Sequence, residues 1–318
     1  MSIEIVLTTF FIGVALGLWW VPYQKKVGLT SRDIYKDLEA VPRAGGVIAM
    51  VAATVGFLLT APHVPYASAV AVVALAIGLI GLVDDVRGVS EYVRVLFPVF
   101  LALVVVRTIE EVRLTIPVVG LFYGAMGWLS ALAIPVMTNA FNMLDPVNGF
   151  LPAANIIIGL TLIGVAAVKG TWDAVYLLAI HTAASAALFL YNKYPARTFN
   201  GNVGSYYLGA SVSTIAVIYD LVPYLILTAL PFVINGVLII FSSGGIKSRE
   251  KIQRPTVLKN GVVYQVCDSP ILSLVRVIVS ERPMTEFELF KTLTSLVAVA
   301  SILTIALAAL LKTLGAPL

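Results

Sequence analysis

The sequence is poor in charged residues and in cysteine. Only 12% of its 318 residues are Asp, Glu, Lys or Arg, whereas 59% are hydrophobic. A soluble domain contains about 25% charged residues and could not bury so much apolar side chain in one core. The scarcity of charge therefore excludes a soluble globular domain and a disordered chain, and it indicates a protein that folds in a lipid bilayer.

The single cysteine, Cys267, excludes an internal disulfide framework. Histidine is almost as scarce, because only His63 and His181 are present, and this excludes a His/Cys metal cluster. The sequence also contains no Walker A motif and no Gly-x-Ser-x-Gly elbow. The usual signatures of soluble nucleotide-binding proteins and serine hydrolases are therefore missing.

Long apolar runs take the place of these signatures. About 20 apolar residues cross the core of a bilayer as a helix. The sequence therefore predicts an all-α, polytopic membrane protein, with about ten transmembrane helices in a single domain that covers residues 1–318. The candidate spans are roughly 3–23, 44–61, 65–83, 95–107, 122–140, 151–168, 172–191, 204–218, 221–242 and 287–311.

The distribution of Lys and Arg predicts the orientation. Alternate connections between ten helices face the same side of the membrane. One set, 24–43, 84–94, 141–150, 192–203 and 243–286, holds seventeen of the 21 Lys and Arg residues when Lys291 is included. Basic loops remain in the cytoplasm, so we expect these loops to face the cytoplasm and both termini to lie outside. Topology then explains the net charge of +4, and no nucleic-acid partner is predicted.

The third span ends in the pair Asp84-Asp85. Carboxylates at the C-terminus of a helix oppose the helix dipole, and two adjacent carboxylates repel each other unless a cation is near. Mg²⁺ prefers one or two carboxylates together with substrate phosphates, so the pair suits phosphate chemistry at the membrane edge. A solvated helix end is the alternative interpretation.

Three amides and a carboxylate follow the fifth span. Asn139, Asn142 and Asp145 are spaced by three residues and share a helix face, and Asn148 comes after Pro146 has ended the helix. A polar helix end with a turn is the alternative. This concentration of amides beside an apolar helix favours recognition of a ligand.

Two further segments carry polar chemistry. Residues 191–205 combine aromatic, basic and glycine residues before an apolar helix, as in an anion site or a generic connector. Residues 243–286 open with a basic run that either reports topology or binds a diphosphate. Within that segment we expect a hairpin turn at 259–262 and a surface helix over 269–279. Residues 109–116 also predict a small hairpin.

The order of these motifs resembles the polyprenyl-phosphate N-acetylhexosamine-1-phosphate transferase superfamily over nearly the whole chain. The matching residues are Asp33…Lys36, Val41-Pro42-Arg43-Ala44-Gly45-Gly46, Asp84-Asp85, Asn139-x-x-Asn142-x-x-Asp145-x-x-Asn148-Gly149, Tyr194-Pro195-Ala196-Arg197-Thr198-Phe199-x-Gly201 and the basic last loop. The 191–197 segment and the Arg249-Glu250-Lys251 run are most similar to the archaeal and eukaryotic UDP-GlcNAc:dolichyl-phosphate GlcNAc-1-phosphate transferases. Segment 243–286 lacks the histidines of the bacterial branches.

The resemblance implies an enzyme that transfers GlcNAc-1-phosphate, or a related sugar 1-phosphate, from a UDP-sugar to a polyprenyl or dolichyl phosphate. UMP is the leaving group, and the reaction is the first membrane step of glycan assembly such as N-glycosylation. The resemblance further implies Mg²⁺ as the cofactor and suggests a homodimer in the membrane.

Individual roles also follow from the resemblance. Asp84 is expected to accept a proton from the attacking lipid phosphate or to orient it, with Asp85 in support, and Asn142 and Asn202 are expected to hold Mg²⁺. Within the substrate sites, Asn148 and Phe199 are expected at the uridine and Lys36 near the lipid phosphate. The full set of expected substrate-binding residues is Lys36, Arg94, Asn139, Asp145, Asn148, Phe199, Arg249 and Lys251.

Three positions depart from the pattern of the family. Asn202 stands where relatives usually carry a metal-binding Asp, which removes one negative charge from the expected Mg²⁺ site. Arg94 stands in place of a phosphate-binding Lys, and Pro146 in place of a Gly.

The alternative function is a transporter or flippase of a phosphorylated lipid or nucleotide sugar that uses the same polar residues as a pathway. A transporter usually places its site near the membrane midplane, whereas these residues are predicted at one edge. The Asp-Gly-x-x-Ala-Arg signature of CDP-alcohol phosphotransferases is absent.

Overall fold

The computed structural model describes residues 3–109, 111–245 and 253–318. It is a bundle of helices with short strands in the connections. The helices are α1 (Ile3–Lys26), α2 (Val47–Thr60), α3 (Ala67–Arg87), α4 (Glu91–Thr108), α5 (Ala125–Trp128), α6 (Ala133–Met143), α7 (Phe150–Lys169), α8 (Trp172–Asn192), α9 (Gly201–Ile218), α10 (Val222–Thr228), α11 (Leu230–Ser243), α12 (Leu274–Glu281) and α13 (Glu286–Thr313). A 3-10 turn, Leu129–Leu132, joins α5 to α6.

The strands form three small antiparallel sheets in the described residues. They are β1 (Thr30–Asp33) with β2 (Leu38–Pro42), β3 (Leu114–Ile116) with β4 (Gly120–Phe122), and β5 (Thr256–Lys259) with β6 (Val262–Gln265) and β7 (Met284–Thr285). The predicted turn at 259–262 is confirmed, because Lys259 pairs with Val262. The hairpin predicted at 109–116 is displaced, because its paired strands occupy 114–122. The predicted surface helix begins at residue 274 instead of 269.

All ten predicted spans coincide with helix, but the count of ten membrane crossings is not confirmed. Among the described residues, five helices are long and apolar enough to cross a membrane, namely α1, α3, α7, α8 and α13. A sixth crossing results if α10 and α11 are counted together, although these two helices meet at an angle of 78°. The protein is therefore a mostly helical, multi-pass membrane protein.

Two predicted spans are interrupted by a bend or by irregular structure. Span 221–242 bends at the junction of α10 and α11, where Pro231 in the first turn of α11 cannot donate a main-chain hydrogen bond to the preceding helix. Span 122–140 starts on strand β4 and includes the short α5 and the 3-10 turn before the regular helix begins at Ala133.

Helix α9 is the centre of the bundle. Every residue from 203 to 217 is buried, and α3, α6, α2 and α8 pack against this helix. Small residues allow the close approach. At the N-terminal end, Gly46 and Gly204 are so close that a Cβ on Gly46 would overlap the main chain of Gly204.

Large apolar side chains cover much of the outer surface of the bundle. Phe11 on α1 is 62% exposed, Phe100 on α4 is 60% exposed and Ile302 on α13 is 66% exposed. Water would penalise a surface of this kind, whereas the acyl chains of a bilayer would not.

The connections separate into two groups at opposite ends of the bundle. At one end, hydrogen bonds join all the described loops of the basic set, through Asp84–Asn202, Asn200–Asp145, Asn148–Asp33 and Lys36–Glu286. At the other end, Asp220 receives hydrogen bonds from Thr115 and Lys169. The described loops of the basic set therefore lie together at one end of the bundle. We refer to the two ends as the motif end and the opposite end.

Candidate active site

Asp84 lies at the last turn of α3 and is 6% exposed. Its Oδ1 accepts hydrogen bonds from the Arg94 guanidinium and from the main-chain N–H of Val89, each at 2.8 Å. Its Oδ2 accepts a hydrogen bond of 2.9 Å from the side-chain amide of Asn202. Arg94 thus supplies the cation that a carboxylate at a helix C-terminus requires, and these bonds hold the Asp84 side chain beside the amide cluster.

Asp85 has a different role in the structure. Its two carboxylate oxygens accept the main-chain N–H groups of Asn202 at 2.8 Å and Val203 at 3.0 Å. These N–H groups belong to the first turn of α9 and have no partner within that helix. Asp85 therefore caps α9 from a neighbouring helix, in a favourable position for a negative charge.

Gly201 makes this cap sterically possible. Its φ is +69°, a conformation that disfavours residues with a Cβ. A Cβ at this position would also overlap Oδ2 of Asp85 and the carbonyl oxygen of Arg43. The glycine of the 194–201 motif is therefore required by both its conformation and its surroundings.

Asn142 and Asn202 are in direct contact. The Asn142 amide donates to Oδ1 of Asn202 at 2.6 Å and to Oγ of Ser205 at 3.0 Å. With the Asn202–Asp84 bond, these contacts make one continuous chain from α6 through α9 to α3. The two residues predicted to share a metal ion are thus brought together, and Ser205 joins them.

Asn139 points to a different neighbour. Its amide donates to the carbonyl of Pro135 in its own helix at 2.8 Å and lies 3.5 Å from the carbonyl of Arg94. Its described contacts therefore connect α6 to the main chain of α4, which carries the arginine that pairs with Asp84.

A cleft of about 190 Å³ opens beside this cluster. It contains the predicted residues Asp145, Asn148 and Phe199. The complete lining is Arg32, Asp33, Ile34, Tyr35, Asp145, Pro146, Val147, Asn148, Asn192, Phe199 and Asn200. The aromatic ring of Phe199, the amides and the carboxylates offer one apolar face and several hydrogen-bonding groups, as expected of a site for a polar, planar ligand.

Asp145 is a titratable group of the cleft. It accepts a hydrogen bond of 2.8 Å from the amide of Asn200, which is itself 2% exposed. Burial of the carboxyl raises the pKa of Asp145 to about 6, although hydrogen bonds from Asn200 and from the main chain of Leu151 oppose this rise. The remaining amide oxygen of Asn200 is buried and lacks a partner among the described residues.

Lys36 is held by two carboxylates. Its Nζ lies 2.6 Å from Oε2 of Glu286 and 2.8 Å from Oδ2 of Asp33. Burial lowers the pKa of Lys36, but the hydrogen bonds and charges of Asp33 and Glu286 outweigh burial and raise it overall. Burial likewise raises the pKa of Asp33, yet Lys36 and a hydrogen bond from Asn148 lower it overall. This ion-paired group is joined to the cleft through Asn148.

Several residues of the site had no predicted role. Asn192 accepts the main-chain N–H of Gly149 at 2.9 Å and donates to the carbonyl of Thr198, so it fastens two motifs together. Asn192 could have been identified from its position inside the 191–205 motif. Glu286 and Tyr35 were harder to identify, because each is a single polar residue without a periodic pattern. Arg249 and Lys251 lie outside the described residues.

The donor set for a divalent cation is mainly amide. The described residues contain no group of three or more His, Cys, Asp or Glu side chains arranged to hold a metal ion. However, Asp84, Asn142 and Asn202 supply one carboxylate and two amide oxygens in one hydrogen-bonded chain. Because Mg²⁺ completes its shell with water and substrate phosphates, this set fits a Mg²⁺ ion that arrives with a diphosphate.

Known proteins are similar to this chain in sequence. The family model described as glycosyl transferase family 4 matches residues 67–220, which include Asp84, Asn142 and Asn202. A Saccharolobus solfataricus protein named as a UDP-N-acetylglucosamine–dolichyl-phosphate N-acetylglucosaminephosphotransferase is 31% identical over 248 residues, 73% of this chain and 76% of the relative. A Sulfolobus acidocaldarius protein of the same name is 29% identical, with the same coverage.

A bacterial relative is similar to a smaller extent. A Bacillus subtilis protein named as an undecaprenyl-phosphate N-acetylglucosaminyl 1-phosphate transferase is 27% identical over 67% of this chain and 63% of its own length. The fold and the cluster define a multi-pass membrane protein with an acidic and amide site at one end of its bundle. The chain belongs to glycosyl transferase family 4, and the resemblance stated from the sequence is confirmed.

Proposed function

We propose that this protein transfers GlcNAc-1-phosphate, or a related sugar 1-phosphate, from a UDP-sugar to a polyprenyl or dolichyl phosphate and releases UMP. The observation that carries the proposal is the chain of contacts Arg94–Asp84–Asn202–Asn142, beside a cleft at one end of an apolar bundle. Relatives with 31% and 29% identity are named for this activity. Such a reaction would feed a membrane pathway of glycan assembly such as N-glycosylation.

The chemical step is a phosphoryl transfer. An oxygen of the lipid phosphate attacks the β-phosphorus of the UDP-sugar, and the bond from that phosphorus to the bridging oxygen of UMP breaks. Catalysis of such a step depends on positioning and on neutralisation of phosphate charge. Asp84 would orient the lipid phosphate or accept its proton, and Arg94 would hold Asp84 and contact a phosphate oxygen.

Asp85 would act through α9. Both of its oxygens bind the first turn of that helix, where Asn202 begins the amide chain. Asp85 would therefore position Asn202, while Asp84 remains the candidate for contact with the reacting groups.

The cleft would bind the nucleotide. Phe199 offers a ring for the uracil base, and Asn148 offers an amide that already contacts Asp33 at 3.2 Å. Because Lys36 is paired with Asp33, which lines the cleft, we assign it to this nucleotide end of the site instead of to the lipid phosphate. Arg249 and Lys251 would add positive charge for the diphosphate.

Mg²⁺ would be held by Asn142 and Asn202 with Asp84 beside them. A bound Mg²⁺ would neutralise charge on the diphosphate. The test is a Mg²⁺ titration of Asn202→Asp and wild type at fixed UDP-sugar. The added carboxylate should lower the half-saturating Mg²⁺ concentration. An unchanged midpoint with unchanged turnover would show that position 202 does not contact the metal.

The activity is tested by release of UMP. Purified protein in detergent would receive UDP-GlcNAc or other UDP-hexosamines, with dolichyl or undecaprenyl phosphate as acceptor and Mg²⁺ present. We expect UMP and a lipid-linked sugar diphosphate only when both substrates are supplied. A flippase or transporter would move lipid in proteoliposomes without releasing UMP, so a negative assay with positive transport would contradict the proposal.

The motif end would face the cytoplasm. Cys267 is the only cysteine and is exposed, so its labelling shows which side of the membrane the motif end faces in the native protein. It should react with a membrane-impermeant maleimide only from the cytoplasmic side. In a Cys267→Ser background, Val118→Cys, at a residue 75% exposed in the opposite hairpin, should react only from outside. Reaction of both sites from the same side would overturn the proposed topology.

Light scattering in detergent would test the homodimer.

A further inference from the structure

Glu286 is a buried carboxylate at the start of the last helix. It is 5% exposed and is the first residue of α13, where the helix dipole favours a negative charge. Both of its oxygens, however, bind other parts of the chain. Oε1 accepts the main-chain N–H of Asn148 at 3.0 Å, and Oε2 accepts Nζ of Lys36 at 2.6 Å.

Lys36 extends these contacts to two further segments. Its Nζ lies 2.8 Å from Oδ2 of Asp33 and 4.8 Å from the centre of the Tyr194 ring. The Asn148 amide also donates to Oδ2 of Asp33 at 3.2 Å. The first hairpin, the 194–201 motif and the start of α13 therefore meet at a single ammonium group, and the loop after α6 joins them through the bonds of Asn148 to Asp33 and Glu286. Two carboxylates surround that ammonium, so the group as a whole carries one negative charge.

Glu286 lies behind the wall of the cleft. Asp33, Tyr35 and Asn148 line the cleft, whereas the hydrogen bonds of Glu286 within the described part of the chain go to Asn148 and to Lys36, the partner of Asp33. Tyr35 is fastened to the same loop, because its hydroxyl donates to the carbonyl of Pro146 at 3.2 Å. A change at Glu286 would therefore act on the cleft by moving the residues that form its surface.

We propose that Glu286 is a positioning residue for the nucleotide donor. Its carboxylate holds the main chain of Asn148 and the ammonium of Lys36 in place at the wall of the cleft. The inference rests on the proposed function and adds a residue to it. Asp84 and Arg94 lie in a different hydrogen-bonded chain. Loss of the Glu286 charge therefore affects the affinity for the UDP-sugar, and it leaves the lipid acceptor and the chemical step largely unchanged.

The test is Glu286→Gln in the full-length protein. Glutamine keeps the size of the side chain but removes the charge that strengthens the bonds to Lys36 and Asn148. We expect the KM for UDP-GlcNAc to rise by about tenfold, the magnitude of one lost charge-assisted hydrogen bond. The kcat and the KM for the polyprenyl phosphate should change much less. Glu286→Asp, which retains the charge on a shorter side chain, should recover part of the affinity.

Glu288→Gln is the matched control. Glu288 lies two residues further along α13, and its Oε2 accepts the main-chain N–H and the hydroxyl of Thr285 in a capping box. Glutamine also serves in that box, so all three kinetic constants should remain at the wild-type level. Equal kinetics for Glu286→Gln and Glu288→Gln would overturn the proposal.

A double-mutant cycle with Lys36→Met gives a second readout. If Glu286 acts through Lys36, the two substitutions together should raise the KM for UDP-GlcNAc by less than the product of the single effects. Independent, multiplicative effects would remove Lys36 from the mechanism. If kcat and thermal stability both fell while KM stayed unchanged, Glu286 would have a structural role, and the proposal would also be overturned.

Failure of the proposed function would be distinguishable. If the wild type releases no UMP with any acceptor, calorimetry with UDP-GlcNAc replaces the kinetic assay. Weaker binding to Glu286→Gln than to wild type would then support the positioning role without the transferase reaction. Equal binding to both proteins, or no binding to either, would refute it.

Discussion

The motif end and the opposite end of the bundle both contain buried ion pairs, but they use them differently. At the opposite end, Asp220 receives the main-chain N–H and hydroxyl of Thr115 and the ammonium of Lys169. These bonds join the β3–β4 hairpin to the helix ends. At the motif end, Asp84 and Asn142 are fixed by neighbours while a cleft remains open beside them. Buried polar side chains therefore hold the hairpin against the helices at the opposite end, whereas at the motif end they border a candidate site.

Removal of the Asp84 carboxylate should have the largest effect on the motif end. Asp84→Asn keeps the shape of the side chain but loses the proton acceptor and the partner of Arg94. A positioned proton acceptor contributes about 10²–10⁴-fold to a rate, so kcat should fall by that factor while UDP-GlcNAc binding changes far less. Steady-state kinetics and calorimetry measure the two quantities. Turnover near the wild-type level would remove Asp84 from the chemistry.

Gly201 tests whether the cap on α9 matters to the site. In Gly201→Ala, the Cβ would overlap Asp85 and the carbonyl of Arg43, so the start of α9 must shift together with Asn202. We expect kcat to fall by about tenfold or more, since a displacement of about 1 Å at a reactive site can cost 10²-fold.

Gly170→Ala is the control for that substitution. Gly170 follows α7 at the opposite end and has a φ of +79°, but a Cβ there would meet no atom within 4 Å. A positive φ is therefore present at both positions, while the steric overlap is present only at Gly201. Similar activities of Gly201→Ala and Gly170→Ala would show that the cap of α9 by Asp85 does not control the site.

The opposite end should respond to substitution through stability alone. Asp220→Asn leaves Lys169 without its charged partner, and both side chains of the pair are largely buried. We expect a loss of about 1–3 kcal/mol in unfolding free energy, with kcat per folded molecule unchanged. Glu111→Gln, which breaks an exposed pair with Arg113, should have almost no effect. A fall in kcat for Asp220→Asn would show that the two ends are coupled.

The smallest expected effect is a pH dependence at the cleft. Burial raises the pKa of Asp145 to about 6, so its carboxyl becomes neutral below that pH and negative above it. The UDP-sugar is an anion, so its KM should rise as the pH increases through 6. Asp145 is half-buried and faces the open cleft, so water in the cleft screens the repulsion. Two like charges roughly 7 Å apart in water repel by about 0.6 kcal/mol, which corresponds to about threefold in KM. In Asp145→Asn this pH dependence of KM should disappear. If it persists, Asp145 is not the group that causes it.

Much of the helical architecture could be predicted from hydropathy alone. Each of the ten apolar runs contains helix, because a chain in lipid must satisfy its main-chain polar groups within each segment. The turn at 259–262 followed from Asn260-Gly261, which suits a tight hairpin. The bend between α10 and α11 was missed because the apolar run continues across Pro231.

The candidate site was only partly predictable. The spacing of Asn142, Asp145 and Asn148 and the pair Asp84-Asp85 identified polar residues that meet at one end. The resemblance assigned Asp84 the direct role and Asp85 a supporting one, but the contacts that distinguish them could not be predicted, because the two aspartates are adjacent and chemically identical. Their difference depends on the first turn of α9, which lies more than a hundred residues away in the chain and binds Asp85 through its main chain.

The sequence by itself determined that the chain is a helical membrane protein, where its polar motifs lie, and which family those motifs match. These properties depend on composition and on local spacing, which each segment carries independently of the others. Only the tertiary structure decided that Asn142 bonds to Asn202, that Asp85 caps α9 and that Glu286 holds Lys36. Each of these contacts joins residues 60 or more positions apart, and such pairs are selected by the packing of whole helices instead of by any local pattern.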